Sequence, residues 1–484
     1  MNIKQRILAL FDDSAFRAPV LKMLSGTGVA FIVGYLANIV LLRLFPPEFW
    51  GVSDYVIAWV SILAPVSSLR YEDALMLPED RRQAAHAYLL SIGAVVLFCG
   101  VALAVLLLSP DLMAYFESKG AGRWMLLLPV ALLANRLAKI TELWLSRHDR
   151  FGHVSAAQVV QTTSMFGTRI GAGWVGPGPG GLLWGYVVGY AAAFLGMSRA
   201  AAHHLREALQ SRPKWTDMRA LASRYRRFPT FTMPAALISG LITRLPILLI
   251  PVWFSMEVTG EFSRGFNMLF IPLSLIAAAV AQVFFVRAVD AHRAGGLATF
   301  TANVHARLVL MAFWPSLVLM IAGPDIFEAL FGAEWRNAAT YLLFVAPWIL
   351  FTVVASPLTR LFDVLERQRL EFGVTAVSLA VITLSLFIGG NSGDVSRLLL
   401  YLGIGGLVAR AGQTLLLLRI ARCSWRDMVR PYLRYALLSA PLLAMVAWTS
   451  TYSIPLLTTA AALIGGLLFL GLAAWRDGLL PSAK

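Results

Sequence analysis

Residues 83–109 read QAAHAYLLSIGAVVLFCGVALAVLLLS, a stretch without any Asp, Glu, Lys or Arg. A bilayer core needs roughly 20 mostly apolar residues per helical crossing, so this segment is long enough to span it. Similar stretches follow one another along the 484-residue chain, which is 58% hydrophobic and only 14% charged. About a quarter of the residues in a soluble domain are charged. The sequence therefore predicts an all-α polytopic membrane protein with no soluble catalytic domain.

Hydropathy predicts fourteen transmembrane spans. They cover 20–44, 50–77, 83–109, 123–147, 151–175, 180–204, 228–253, 257–287, 300–323, 338–361, 367–390, 396–420, 430–449 and 453–475. Of the 41 Lys and Arg residues, 29 fall on one side of these spans, five on the other and seven within them. The positive-inside rule places the basic side and both termini in the cytoplasm. The net charge of +15 thus reflects topology, and it suits anionic membrane lipids rather than nucleic acid.

The longest basic connection divides the first six predicted spans from the next six, and two further spans follow. The predicted domains are a cytoplasmic or interfacial helix at 1–19, an N-lobe at 20–204, the basic linker at 205–227, a C-lobe at 228–422, and spans 13 and 14 with a cytoplasmic tail at 423–484. A weak repeat supports two halves, because Gly51 and Pro65 in span 2 have counterparts in Gly260 and Pro272 of span 8. An even number of spans per half predicts parallel repeats about an axis along the membrane normal.

No segment carries a cofactor or metal motif. Cys99 and Cys423 are isolated, and the histidines lie mainly at predicted cytoplasmic ends, where we expect solvated side chains rather than metal ligands. The glycine-proline run 176–181 lacks the Lys-Ser/Thr of a nucleotide-binding loop, and we interpret it as a tight turn. These features predict a carrier with no nucleotide, cofactor or metal, rather than an enzyme.

Basic side chains lie within the predicted spans, where each charge costs roughly 2.5–3.5 kcal/mol on insertion scales. The candidate binding residues are Arg136, Lys139, Arg169, Arg244 and Arg264, with Arg70 nearer the cytoplasmic end of span 2. We expect buried cations to outnumber buried anions. Because the arginine fork suits phosphate oxygens, this surplus predicts a polyanionic or phosphorylated substrate. The alternative for any one arginine is that it reaches an interface or pairs with a carboxylate such as Glu142.

Span 5 contains a polar run that includes Gln158 and Gln161. Their amide groups suit the hydroxyl groups of a sugar, which favours a role in substrate binding. Polar side chains of this kind equally serve helix–helix packing in membranes. The sequence leaves both interpretations open.

Two segments resemble a known family. The first is Arg70-Tyr71-Glu72-Asp73-Ala74-Leu75-Met76-Leu77-Pro78, at the end of span 2. The second comprises Gly260-Glu261-Phe262-Ser263-Arg264, Leu269-Phe270-Ile271-Pro272-Leu273-Ser274-Leu275 and Gln282-Val283-Phe284-Phe285, in span 8. These segments resemble the corresponding spans of bacterial polysaccharide and O-antigen flippases. That family is the oligosaccharidyl-lipid branch of the multidrug/oligosaccharidyl-lipid/polysaccharide export (MOP) superfamily.

The resemblance implies a flippase that moves undecaprenyl-diphosphate-linked oligosaccharide between leaflets of the bacterial cytoplasmic membrane. It also implies a V-shaped pair of six-helix lobes around a cationic cavity, and polysaccharide polymerase and export machinery as partners. On this hypothesis Arg136, Arg244 and Arg264 hold the diphosphate, and Arg70 guides it in from the cytoplasm. Protonation of Glu142 or Asp73 would couple transport to a proton gradient.

Three other functions compete with this hypothesis. A cation-coupled multidrug exporter of the same superfamily should carry acidic residues deep in the first lobe, where this sequence shows Arg136, Lys139 and Arg169. A membrane-embedded polymerase or ligase usually has a large outer domain, and the predicted outer connections are too short for one. A structural membrane subunit would not account for a surplus of buried cations.

Overall fold

A computed structural model describes residues 34–209 and 215–476. The predicted helix at 1–19, the first part of span 1 and the end of the cytoplasmic tail lie outside these residues. Within them the chain forms helices joined by turns, with no β-strand. The structure confirms the all-α polytopic fold class.

Seventeen α-helices occur in the described part of the chain. They are α1 (Gly34–Leu44), α2 (Pro47–Ser67), α3 (Arg81–Leu108), α4 (Pro110–Ser118), α5 (Leu128–Arg147), α6 (Phe151–Val175), α7 (Pro179–Ala208), α8 (Trp215–Arg224), α9 (Met233–Trp253), α10 (Met256–Arg293), α11 (Leu297–Phe331), α12 (Arg336–Leu358), α13 (Arg360–Val364), α14 (Gln368–Gly390), α15 (Val395–Ile420), α16 (Trp425–Ser450) and α17 (Pro455–Arg476). Helices dominate because hydrocarbon supplies no partner for backbone N–H and C=O groups.

Twelve helices in the described residues are long and apolar enough to cross a membrane. They correspond to twelve of the fourteen predicted spans. The described part of α1 is short, because the rest of predicted span 1 lies outside the described residues. Helix α6 has the bounds predicted for span 5, but its polar run makes it less apolar than the twelve.

Helix boundaries follow local sequence signals. Asp80 caps α3 by accepting a hydrogen bond from the backbone N–H of Arg82, and Ser424 with Asp427 forms a capping box at α16. Gly176, Pro177 and Gly178 form the three-residue connection between α6 and α7, and Pro179 takes the first position of α7. The turn predicted at 176–181 is therefore confirmed for its first three residues, whereas the last three belong to α7.

The chain divides into two compact units. The first comprises Met1–Phe45 and Tyr55–Gly240, and the second comprises Pro46–Asp54 and Leu241–Lys484. The beginning of α2 therefore belongs to the second unit and its remainder to the first. The N-lobe predicted at 20–204 instead contains the whole of α2.

Within the first unit, α7 packs against α5 and α6, and α5 packs against α3. Trp144 of α5 is fully buried here, and its indole N–H donates to the carbonyl oxygen of Ala201 at 3.3 Å. The short amphipathic helix α8 lies beside α3, where Arg224 donates to the Gln83 side chain at 3.2 Å.

Within the second unit, α12 is the central helix and packs against α10, α11 and α15. The last two helices, α16 and α17, pack against each other and against α11. Trp314 of α11 stacks on Phe469 of α17, with ring centroids 5.6 Å apart. Helices α16 and α17 are therefore an integral part of this unit.

Candidate functional site

A turn with unusual backbone geometry follows α2. Leu69 and Arg70 have φ values of 52° and 58°, in the left-handed region that residues with a Cβ rarely adopt. The chain then forms a 3₁₀ turn at Tyr71–Met76. Each such residue costs on the order of 1–3 kcal/mol, so other contacts must hold the turn in place.

Contacts with α5 and α8 hold this turn. The Tyr71 hydroxyl donates to the carbonyl oxygen of Ala222 in α8 at 3.3 Å. Arg147, the last residue of α5, donates to the carbonyl oxygen of Leu75 at 2.8 Å and to that of Pro78. The motif that carries the flippase resemblance is thus a fixed structural element, and Arg147 is part of it.

Glu72 points from this turn to Arg136 in α5. Their side chains are 2% and 10% exposed and form an ion pair, and Arg136 also donates to the Ser68 hydroxyl at 3.3 Å. Among the described residues, Glu72 Oε2 and Arg136 Nε have no hydrogen-bond partner. Since an unpaired buried charge costs several kcal/mol, the two side chains stabilise each other. We call Ser68, Arg70, Glu72, Asp73 and Arg136 the Glu72 cluster.

Arg70 and Asp73 form the more exposed side of the Glu72 cluster. Arg70 Nε lies 3.2 Å from Asp73 Oδ2, and Arg70 Nη1 lies 4.0 Å from Glu72 Oε1. Partial burial raises the pKa of the Asp73 carboxyl above its usual value, against the opposing effect of the Arg70 charge. Arg70 therefore pairs with the carboxylates beside Arg136, which is the alternative left open for each arginine.

Replacing Asp73 with asparagine should remove a pH dependence from the stability of the first unit. Because the carboxyl has a higher pKa in the folded than in the unfolded protein, the wild type loses stability as the pH rises through the window between the two values. The unfolding temperature of Asp73→Asn should therefore increase relative to that of the wild type as the pH rises from about 4. Thermal unfolding in detergent measures this, with the exposed Asp111→Asn as control. A constant difference across the pH range would contradict the raised pKa.

Lys139 and Glu142 form their own ion pair on α5. Lys139 Nζ lies 2.8 Å from Glu142 Oε2, and the two side chains are 42% and 26% exposed. Exposed pairs at this spacing contribute at most about 1 kcal/mol. Of the three candidate residues on α5, Arg136 is thus buried, whereas Lys139 and Glu142 form a more exposed pair.

Arg169 of α6 is buried against α7. Its Nε donates to the carbonyl oxygen of Leu182 at 3.0 Å, and its guanidinium lies 5.9 Å from the centre of the Phe166 ring. Gln158 and Gln161 lie half-buried on the same helix. The Leu182 contact gives Arg169 a role in holding α6 to α7, while the choice between sugar binding and packing stays open for the two glutamines.

The second unit contains a second arginine–carboxylate pair, formed by Arg264 of α10 and Asp54 of α2. Arg264 Nε donates to Asp54 Oδ2 at 2.9 Å and Nη2 donates to Asp54 Oδ1 at 2.5 Å, a bidentate geometry. The Ser263 hydroxyl also donates to Asp54, and the guanidinium lies 4.3 Å from the centre of the Trp50 ring. We call Trp50, Asp54, Ser263 and Arg264 the Asp54 cluster.

Two glycines place the Asp54 cluster at a close helix crossing. A methyl group added at Gly51 would lie 1.8 Å from the carbonyl oxygen of Met256, and one added at Gly260 would lie 1.8 Å from that of Pro47. The backbones of α2 and α10 therefore touch directly at these positions. Gly51 and Gly260 are the glycines of the predicted repeat, and the structure brings them together.

Arg244 differs from Arg136 and Arg264. It lies half-buried on α9, between the helix start and Pro246. Among the residues that the structure describes, it forms no hydrogen bond or ion pair with an acidic side chain. Of the three arginines predicted to hold the diphosphate, Arg244 has its guanidinium available for a ligand.

The prediction that buried cations outnumber buried anions is wrong. In the described residues the most buried acidic side chains are Asp54, Glu72, Glu261 and Asp325, whereas the comparably buried basic ones are Arg136 and Arg169. Asp54 and Glu72 were missed as site residues. Their position in or next to an apolar span is the signal that could have identified them, because a charge there requires a partner.

A polar pocket of about 770 Å³ opens at the ends of α5 and α7 in the first unit. Beside it His203, His204 and Glu207 lie close enough to share a metal ion. His204 Nε2 accepts from Arg150 at 3.3 Å, and its Nδ1 lies 3.4 Å from a Glu207 oxygen. His204 therefore contacts both Arg150 and Glu207.

Comparison with known proteins extends the resemblance found in the sequence. A family model described as "Polysaccharide biosynthesis protein" matches residues 40–340, more than half of the chain. The chain belongs to this family. The match includes both segments that resemble the polysaccharide flippases, and it confirms that resemblance at the level of the family. No curated protein matches the full sequence.

Solved structures show which fold this polysaccharide biosynthesis protein has. The structure "Lipid II flippase MurJ, inward closed conformation" superposes with a TM-score of 0.75 at 11% identity, covering 95% of this chain and 100% of that chain. An inward-facing multidrug resistance MATE family transporter of the MOP superfamily gives a TM-score of 0.61 at 12% identity, covering 81% of this chain and 94% of that one. The protein is a multi-pass membrane protein with a MurJ-like fold.

Proposed function

We propose that this protein transfers undecaprenyl-diphosphate-linked oligosaccharide from the inner to the outer leaflet of the bacterial cytoplasmic membrane, for export of O-antigen, capsule or exopolysaccharide. The proposal is for a secondary-type transporter rather than an enzyme, with both termini in the cytoplasm and with polysaccharide polymerase and export machinery as partners. Its support is the polysaccharide biosynthesis family together with the likeness to a flippase structure over 95% of the chain.

The observation that carries the proposal is the half-buried Arg244, which has no acidic partner among the described residues. A guanidinium in this setting favours an anionic ligand, and its planar fork matches two phosphate oxygens. Arg136 and Arg264 already form ion pairs with carboxylate side chains. For these two to bind the substrate, diphosphate oxygens must replace Glu72 and Asp54.

Such an exchange gives the substrate a means of shifting the protein between its two facing states. A ligand shifts a conformational equilibrium only by its difference in affinity for the two states. A state with closed arginine–carboxylate pairs binds the diphosphate less tightly than a state in which the arginines are released to it. In this hypothesis Asp73 and Glu142, whose partners Arg70 and Lys139 are more exposed, are the groups that would take up a coupling proton.

A cation-coupled multidrug exporter is the second candidate, because the MATE transporter shares the fold. Such a carrier needs a carboxylate available to a cationic drug. Asp54 and Glu72 are each paired with an arginine, and Asp325 lies 3.2 Å from Arg336. Glu261, the fourth buried carboxylate, has no basic partner among the described ion pairs. The lipid-linked anion is therefore favoured by the unpaired Arg244 and by the higher TM-score for the flippase.

Replacing Arg244 with glutamine should lower transfer of the diphosphate lipid by about tenfold or more. Loss of a hydrogen bond to a charged group costs about 1.5–3 kcal/mol. The assay is leaflet transfer in proteoliposomes, using undecaprenyl-diphosphate oligosaccharide, a neutral lipid-linked sugar and an organic cation as separate substrates. We expect selective transfer of the diphosphate lipid by the wild type.

The matched control is Arg397→Gln, which makes the same change in an exposed arginine of the second unit. This variant should transfer the lipid at the wild-type rate. Unchanged transfer by Arg244→Gln would remove Arg244 from the site. Transport of the organic cation with indifference to the diphosphate lipid would overturn the flippase proposal in favour of a drug exporter.

A further inference from the structure

A basic groove lies between the start of α16 and the end of α17, in the second unit. Its volume is about 740 Å³, within the usual range of small-molecule sites. Four arginines line it, and the flippase hypothesis uses none of them: Arg426, Arg430, Arg434 and Arg476. All four belong to the predicted cytoplasmic side.

The arrangement of these arginines is unfavourable unless an anion is present. Arg426, Arg430 and Arg434 follow at four-residue steps on α16, so their charges stack along one face and repel each other. Arg426 also lies in the first turn of the helix, where the helix dipole disfavours cations. Two like-charge repulsions and one unfavourable interaction with the helix dipole therefore coincide at this groove.

Nearby acidic groups among the described residues do not neutralise the charges of Arg426, Arg430 and Arg476. Asp427 is engaged in the capping box with Ser424. Within residues 34–209 and 215–476, no carboxylate lies at ion-pair distance from Arg426, Arg430 or Arg476. The groove thus has a net positive charge that an external anion would offset.

Apolar side chains continue the groove toward the middle of the helices. Leu433 and Leu437 line it and are 61% and 76% exposed, and Trp425 at its rim is 63% exposed. Both α16 and α17 are candidate membrane spans. Tryptophan at a helix end is typical of the membrane interface, and exposed leucines beyond the arginines suit acyl chains. A soluble anion would use the arginines but not this apolar wall.

We propose that this groove binds the phosphate headgroup of an anionic phospholipid from the cytoplasmic leaflet. The arginines hold the phosphate, and Leu433 and Leu437 contact the acyl chains. Basic pockets between membrane helices are suited to such headgroups. The proposal requires only that the helices lie in a membrane, so it does not depend on what the protein transports.

The test is lipid binding by the purified full-length protein, measured by native mass spectrometry with added phosphatidylglycerol, cardiolipin or phosphatidylcholine. The wild type should retain the two anionic lipids and release phosphatidylcholine. Arg426→Gln with Arg430→Gln should weaken retention by about thirtyfold, the effect expected from two arginines near an anionic headgroup. The double variant Arg426→Lys with Arg430→Lys keeps the charge and should retain most of the binding.

The control is Arg367→Gln with Arg369→Gln, which removes two exposed arginines of the same unit outside the groove. This variant should bind anionic lipid as the wild type does. Equal loss in both glutamine variants would show a general charge effect and overturn the site. Competition by inorganic phosphate at similar affinity, or retention of undecaprenyl-diphosphate lipid alone, would equally overturn a phospholipid site.

Discussion

Replacing Glu72 with glutamine should destabilise the first unit by about 3–5 kcal/mol, because it leaves Arg136 as an unpaired charge in a buried position. Arg136 is only 8% exposed, and its remaining partner is the neutral Ser68 hydroxyl. The turn that carries Glu72 is itself strained at Leu69 and Arg70, so the lost ion pair is one of the few interactions that hold it against α5.

The two buried cysteines report on the two units separately. Cys99 lies in α3 of the first unit and Cys423 lies in the second, and both are free thiols. A thiol-reactive fluorogenic dye in a Cys423→Ala background follows unfolding around Cys99. In this assay Cys99 should react with the dye at a markedly lower temperature when Glu72→Gln is added to the Cys423→Ala background.

The control for Glu72→Gln is Glu142→Gln, which breaks the more exposed pair with Lys139 on the same helix. We expect a change of less than about 1 kcal/mol. The double variant Glu72→Gln with Arg136→Gln should recover most of the stability, since removing both charges leaves no unpaired one. If Cys99 of the Glu72→Gln variant is labelled at the same temperature as in the Cys423→Ala protein, the Glu72–Arg136 pair does not stabilise the first unit.

Transport separates the structural role of this pair from a role in substrate binding. If Arg136 binds the diphosphate, the stable double variant should still fail to transfer the lipid. If Arg136 only holds the turn, transfer should return together with stability. The comparison thus tests the hypothesis about Arg136 in a protein that folds.

The membrane helices could be predicted from the sequence because hydrocarbon imposes one solution on the backbone. An apolar stretch of sufficient length must be helical, so hydropathy alone identified the twelve long apolar helices of the described residues. Helix α6 was predicted with the same bounds in spite of its polar run, and the glycine-proline run that begins at Gly176 marks its end.

The ion pairs could not be predicted in the same way. Helical periodicity relates a residue only to its neighbours on one helix, such as Lys139 and Glu142, which are three positions apart on α5. The partners of Arg136 and Arg264 are 64 and 210 residues away in sequence, and no local pattern reports such a distance. The resulting error was systematic, because each buried arginine was counted without the carboxylate that compensates it.

The two glycines of the predicted repeat also indicate a helix contact. Gly51 and Gly260 were interpreted as equivalent positions of two halves, without any expectation that they touch. Glycine in the interior of a helix lowers stability by roughly 1 kcal/mol relative to alanine. Two such residues at matching positions therefore indicate a close approach, and the structure shows the backbones of α2 and α10 in contact there.

Replacing Gly51 with alanine should destabilise the second unit by about 3 kcal/mol, the upper part of the usual range for overpacking. The added methyl group would meet the carbonyl oxygen of Met256 at 1.8 Å, and a backbone atom cannot move aside as a side chain can. The helices must separate, which pulls Asp54 away from Arg264. Dye labelling of Cys423 in a Cys99→Ala background measures the loss of stability.

Gly412→Ala is the matched control, because Gly412 lies within α15 of the same unit and an added methyl group would meet nothing within 4 Å. Its stability should stay the same or rise by up to about 1 kcal/mol, the difference in helix propensity between the two residues. Gly260→Ala should behave like Gly51→Ala, since its methyl group would meet the carbonyl oxygen of Pro47 from the opposite side of the crossing. If both variants unfold no earlier than Gly412→Ala, the backbones of α2 and α10 are not in direct contact at this crossing.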